Sequence, residues 1–488
     1  MMRKRAVLAC IVRTASFADE PGTLTTKVGS MRNDAMLDYT QAGKNLCDAI
    51  AIPTVSATDA PPELAQFEAF HAFLQERYPY VHAAFSREVI AGRSLLYHWP
   101  SGHGEREAPI ALLGHMDVVS VEPGTAENWT HPPFAGIIQD GYIWGRGAND
   151  MKNHLIALFE SMNSLIAEGF IARRDIYILL GHNEEILEEQ DSAAAAIAQT
   201  LEARGVHLAF VLDEGGAVIT DPFMGLEVPI ATIGIAEKGY CDLRITVAGP
   251  GGHAAEPPED TAVVMLSRLL AHLPACKMRL TPTVRATFHA LGQHKSGLLR
   301  FVLRHPKPFF PLIKRVLRNN KQAGAMLKTT CVPTILEAGS QANVLPQTAQ
   351  AILNARLLPG ETQAHLIALI HSTARRLRVP CTIETLRYSP APRETSKDTP
   401  VYALLAELSA RHYGAVALPY LVTGATDSRE YVGVADEIYR FYPFAVTFEE
   451  LESMHGTDER ISCDSLAKAT LFMREFIIKT AGREEECL

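Results

Sequence analysis

The chain is 488 residues long, and at roughly 100–200 residues per domain this predicts more than one domain. Its 47% apolar and 21% charged content is that of a globular protein and excludes disordered or collagen-like chains. A formal net charge of −9 argues against nucleic acid as the main partner, because phosphate binding needs a basic face.

Residues 1–40 read as a leader. Arg3, Lys4 and Arg5 precede an apolar run from Ala6 to Val12, which Arg13 interrupts. That run is far shorter than the roughly 20 residues a bilayer needs. A disordered cytoplasmic leader is the favoured expectation, and the core of a weak signal or anchor cleaved near Ser16-Phe17-Ala18 is the alternative. Residues 40–80 read as helical, with turns at Pro53 and at Pro61-Pro62. The eight cysteines are scattered without a CxxC pair, so most read as small core residues rather than zinc-finger or disulfide positions.

From residue 108 the pattern changes. The apolar run 109–114 ends in Gly114 and predicts a buried strand, and residues 153–167 have helical spacing. A second buried strand is predicted at 175–180, an Ala-rich helix at 192–204 and a third strand at 207–212. Strand alternating with helix implies parallel βαβ units, so the fold class is α/β with a doubly wound, mostly parallel sheet. Ligands gather at the carboxyl ends of such strands. Near 237 the style shifts to a half-exposed alternating strand, 241–247, then a helix at 263–273, a strand at 351–357, a helix at 361–377 and a strand at 381–388. This predicts a smaller α+β domain, residues 237–390, inserted between two parts of a first domain, 41–236 and 391–488. Within the insert, residues 295–328 carry nine Lys/Arg and no Asp or Glu among Leu, Phe and Val. They read as a solvated helix pair or as a basic amphipathic surface for a membrane or a long acyl chain.

Five polar signals follow the predicted strands. Gly114-His115-Met116-Asp117 suits a metal ligand with a carboxylate that orients its imidazole. In Gly145 to Lys152, Asp150 stands before a helix, where it could be an N-cap or a carboxylate bridging two ions. Glu184-Glu185 is costly to bury unpaired, and a dication removes that cost for one while leaving the other as a general base. Asp213-Glu214 is another acidic pair, and strand alternation lets only one of the two face a metal; Met454-His455-Gly456 comes late in the chain. One His, three carboxylates and a distant second His form a mixed nitrogen and oxygen set that suits zinc with an open position for water.

Together these motifs resemble the aminoacylase/carboxypeptidase S family of co-catalytic zinc metallopeptidases, over about residues 45–475. The nearest branch is the one holding carboxypeptidase S and N-fatty-acyl-amino-acid synthase/hydrolase, supported by Gly239, Ile438 to Pro443 and Met454-His455-Gly456. The resemblance implies two Zn²⁺ per subunit, with Co²⁺ or Mn²⁺ as substitutes in vitro. It implies His115 and Asp213 on one ion, Glu185 and His455 on the other, and Asp150 as the bridge. Glu184 would be the general base and Asp117 the orienter of His115. The insert would be a lid that dimerises, with His253 as oxyanion donor, Asn343 and Arg356 as substrate-carboxylate binders, and Gly424 to Arg429 as a substrate loop. Two departures stand out: Asn149 and Met151 replace the branch's apolar residue and second Asp, and Asn183 replaces an acidic residue.

The expected activity is hydrolysis of an amide next to a free carboxylate, as a carboxypeptidase on short peptides. An N-acyl (fatty acyl) amino acid hydrolase/synthase is the alternative. A non-catalytic metal-binding protein is disfavoured by the intact Glu184, and a dehydrogenase by the lack of a GxGxxG after a strand.

Overall fold

The computed structural model describes residues 39–483 apart from 57–62, 103–106, 187–191, 224–225, 274–275 and 319. The leader expected at 1–40 therefore falls almost wholly outside the described residues, as does its proposed cleavage site. No described helix is long and apolar enough to cross a membrane.

The chain divides into two compact units. The first comprises 1–234, 395–419 and 426–488; the second comprises 235–394 with 420–425.

The first unit is built on a ten-stranded mixed sheet. Its centre is parallel: strand Glu107–His115 lies between Arg174–Gly181 and Leu208–Asp213, and the last pairs with Ala435–Arg440. The flanks are antiparallel, with Ser86–Ile90 and Ser94–Trp99 on one side and Ile230–Glu237 on the other. The expected parallel pattern therefore holds for the four central strands and gives way to antiparallel pairing on both sides, with one further parallel pair, Val218–Ile219 with Ala445–Val446, at an edge. Ser86–Ile90 is mostly polar and Ile230–Glu237 mixes Thr and Gly among its apolar residues, so their pairing was not readable.

Alternation along the central strands feeds two cores. Ala111, Leu113, Tyr177, Leu179 and Val211 pack against Ile197 and Leu201 of helix Ala193–Ala203. On the other face, Phe210 meets Phe476 of helix Cys463–Ala481 at 5.8 Å between ring centroids. Helix Lys152–Ala167 is buried along most of its length. Strands covered on both faces explain why their sequences are continuous apolar runs.

Register then decides what meets at the strand ends. His115 is opposite Gly181, Leu112 is opposite Leu212, and Asp213 is opposite Arg440. The residues that leave these strands emerge side by side at one edge of the sheet.

The second unit is a four-stranded antiparallel sheet of Gly239–Ala248, Thr330–Ala338, Thr348–Leu357 and Cys381–Ser389. Helices Ala262–Ala271 and Gln363–Arg376 cover one face, burying Leu243, Ile245, Val247, Leu353, Leu266 and Ile370. All six described cysteines are free thiols, but only Cys241 is fully buried. As expected of small core residues, Cys241 lies in this core and the half-buried Cys276, Cys331 and Cys381 pack against it; Cys47 and Cys463 are half-buried.

Candidate metal centre

Six of the predicted side chains converge in the first unit. The buried His115 points Nδ1 at the backbone oxygen of Asp117, 2.9 Å away, which leaves Nε2 facing inward. Nε2 is 3.1 Å from Asp150 Oδ1 and 3.5 Å from Glu214 Oε1. The other oxygen of Asp150 is 3.0 Å from His455 Nε2, and Glu185 Oε2 is 3.1 Å from the same nitrogen. Asp150 thus offers one carboxylate oxygen to each imidazole.

Asp117 ties two segments together. Its carboxylate accepts the backbone N–H of Glu184 at 3.3 Å and of Glu185 at 3.1 Å, while its Oδ1 lies 3.5 Å from His115 Nδ1. One buried side chain therefore sets both the imidazole and the Glu-Glu turn.

The structure separates the two members of the Asp213-Glu214 pair. Asp213 is buried nearby, but its Oδ2 accepts the N–H of Ser428 at 2.8 Å. Successive residues leaving a strand point to opposite sides. With Asp213 turned to that N–H, Glu214 is the member of the pair that reaches His115. Glu214, rather than the expected Asp213, therefore shares a donor group with His115 and Asp150.

The loop carrying Asp150 hangs from Glu459, which is fully buried and was not singled out from sequence. Its Oε1 accepts the N–H groups of Gly147 at 3.1 Å, Asn149 at 2.8 Å and Asp150 at 3.0 Å, and its Oε2 pairs with Arg146 at 2.5 Å. Gly145 lies at φ +149°, where an added Cβ would come within 2.5 Å of Ile50 and 2.9 Å of the Pro133 oxygen, so only glycine fits. The two departures beside Asp150 also find partners. Asn149 takes the Tyr442 hydroxyl on its backbone and side-chain oxygens, and the Met151 sulfur accepts the His115 N–H at 3.2 Å. Asn183 accepts the N–H of Ala193, the first residue of its helix. Removing Glu459 would strand a buried Arg146 and three N–H groups. Glu459→Ala is expected to cost about 3–5 kcal/mol, read as a lower denaturant midpoint.

Asp427 is a further carboxylate at this edge; its Oδ2 would lie 2.4 Å from a Cβ on Gly181, so glycine there makes its room. The only sequence signal for it was its place in the run Gly424 to Arg429.

The electrostatics are those of a crowded, buried anion cluster. Burial, then Glu214, push Glu184 well above the usual carboxylate range. Burial and the Asp150 charge lift both Glu185 and Glu214 to about 7. Burial alone would depress His115, but Glu214, Asp117 and Asp150 raise it well above normal. His455 is raised to about 10 by its bonds to Asp150 and Glu185. Glu185 Oε1 is buried with no hydrogen-bond partner. Three overlapping donor groups, each with ligand atoms within 4.8 Å, are present: His115, Glu184, Glu185; His115, Asp150, Glu214; and Asp150, Glu185, His455. A nitrogen and oxygen donor set with excess buried negative charge fits divalent metal ions.

The remaining expected residues divide between the units. In the second, His253 pairs with Val344 in a short antiparallel ladder, and Asn343 accepts the Ala254 N–H, so His253 and Asn343 are neighbours. His253 is exposed and its Nδ1 accepts the Ala255 N–H at 3.0 Å, which makes Nε2 the donating nitrogen. Arg356 stacks on Tyr240, 4.5 Å from the ring centroid. Gly424 belongs to the second unit and Arg429, on the turn Asp427–Gly433, to the first.

Residues 111–479 match the family model described as peptidase family M20/M25/M40. The chain is 33% identical over 450 residues to a probable carboxypeptidase S-like protein of Dictyostelium discoideum, covering 90% of this chain and 85% of that one. It is 32% identical over 438 residues to the N-fatty-acyl-amino acid synthase/hydrolase of Mus musculus, covering 88% and 86%. Its fold is similar to that of an M20 family metallo-carboxypeptidase from Sulfolobus solfataricus, with a TM-score of 0.66 at 17% identity over 90% of this chain and 98% of that one. It is also similar to that of human carnosine dipeptidase 1, with a TM-score of 0.64 at 14% identity over 90% and 96%.

Proposed function

The chain belongs to the peptidase family M20/M25/M40, and from that premise we propose that it is a two-zinc hydrolase of amide bonds lying next to a free carboxylate. The observation that carries the reading is Asp150, whose two oxygens reach two imidazoles, each with its own second carboxylate, while Glu184 is left over. His115 and Glu214 would hold one ion, His455 and Glu185 the other, and Asp150 both. When bound, the ions supply positive charge that polarises a carbonyl and makes water more acidic.

The protein's own groups do the rest. Glu184 takes the proton of the attacking water and delivers it to the leaving nitrogen. Its raised proton affinity comes from burial and from Glu214, and the cations that offset this crowd would return it to a basic form. Asp117 holds the Glu184 backbone and His115 in one arrangement, so base and ligand keep a fixed relation. By the family resemblance, His253 would steady the developing oxyanion through its Nε2–H and Arg356 would read the substrate carboxylate through paired hydrogen bonds.

The substrate is a short peptide cleaved at its carboxyl end. A second reading, an N-acyl amino acid, is favoured by the 32% identity to the Mus musculus synthase/hydrolase over most of both chains. The two classes share the amide and the neighbouring carboxylate. Turnover of dipeptides and of N-acyl amino acids of rising chain length, each with its amidated counterpart, separates them. The amidated compounds should be poor in both series, and equal rates on acid and amide would sink the proposal. Arg356→Ala should lower kcat/KM for the free acid about 10–100-fold and change the amide little. Equal losses on both would make Arg356 a packing residue only.

A further inference from the structure

Between Asp260 and Glu337 the sequence holds thirteen Lys/Arg and no acidic residue, in a chain whose net charge is −9. The stretch 295–328 carries nine of these cations, and the structure folds it into helices Gly297–Arg304, Pro306–Leu317 and Lys321–Leu327. On the first helix the apolar arc is wider than the packing that covers it. Val302 and Leu303 are buried, but Leu298 and Phe301, three residues apart on one face, are each 53% exposed. Phe301 lies 5.8 Å from Phe309 of the next helix, so an outward-facing apolar ridge joins the two. Arg300 and Arg304 are exposed on the same helix and Lys307, Arg315 and Arg318 on or just after the next, where Lys314 lies over the Phe310 ring.

We propose that this ridge is a docking surface for a membrane leaflet carrying anionic phospholipid. Exposed Leu and Phe set among Lys and Arg match a bilayer surface on both counts: rings enter the acyl boundary while cations meet headgroup phosphates. A second copy of the chain is a poor occupant, because a symmetric contact would set this cationic face against itself. A soluble polyanion would use the cations but leave Leu298 and Phe301 in water. The ridge belongs to the second unit and the residues assigned to the metal centre to the first, so docking and hydrolysis can be tested separately.

The test uses the full chain and sedimentation with vesicles of phosphatidylcholine alone or mixed with phosphatidylserine. Binding is expected only to the mixed vesicles, weakening as salt rises. Arg300→Gln/Arg304→Gln/Arg315→Gln should weaken it on the order of 100-fold, at about fivefold per cation. Leu298→Ser/Phe301→Ser should weaken it at least tenfold at constant charge. Both variants should keep the wild-type circular dichroism spectrum and turnover of a small soluble substrate. No binding by the wild type, or binding that Leu298→Ser/Phe301→Ser leaves unchanged, overturns the proposal. So does tight capture of a single-stranded oligonucleotide without vesicle binding, or a dimer that only the ridge variants dissociate.

Discussion

Glu184→Gln is expected to lower kcat by about 10²–10⁴-fold while metal content stays at the wild-type level. The amide keeps the shape of the carboxylate and removes its basicity. The Glu184 backbone is held by Asp117 through an N–H that the substitution does not touch, so the turn should persist. Glu185→Gln is the contrasting variant. Its Oε2 meets His455 and its Oε1 is buried without a hydrogen-bond partner, which suits an atom reserved for a cation. It should lose metal along with activity. Elemental analysis and kcat on the same preparations separate the two roles. A Glu184→Gln enzyme with near-normal kcat would reverse the assignment of the two glutamates.

Removal of the shared carboxylate should have the largest effect on metal. Purified protein is expected to carry up to two zinc ions per chain, and chelation should abolish turnover until zinc is returned. Asp150→Ala should lose both ions at once, because one side chain faces both His115 and His455. Activity should then fall to background. Asp117→Asn should weaken metal binding only about 10–100-fold, as expected of a group that orients a ligand from behind. Glu214→Gln should deplete one ion, whereas Asp213→Asn should retain both, because Asp213 is spent on the Ser428 N–H. Full activity in protein free of transition metal, or an Asp150→Ala variant that keeps two ions, would refute the two-metal site.

The sequence by itself determined a great deal here, for local reasons. Runs such as 109–114 and 208–212 are apolar throughout because both faces of the sheet are covered, and such runs are visible without partners. Polar residues directly after them, His115, Glu184-Glu185 and Asp213-Glu214, could be placed at one sheet edge because parallel strands end together. The choice within Asp213-Glu214 was not readable. It depends on Ser428, more than two hundred residues away in sequence, offering its N–H to Asp213. Glu459 was equally hidden, since nothing local marks an acid whose partners are three N–H groups of a distant loop. The basic stretch 295–328 was legible as amphipathic, but its period alone could not tell which apolar residues would be covered. Packing buried Val302 and Leu303 and left Leu298 and Phe301 outside. Period and composition act over a few residues and survive in one dimension. Register and long-range hydrogen bonds join residues far apart in the chain, and only the folded structure decides them.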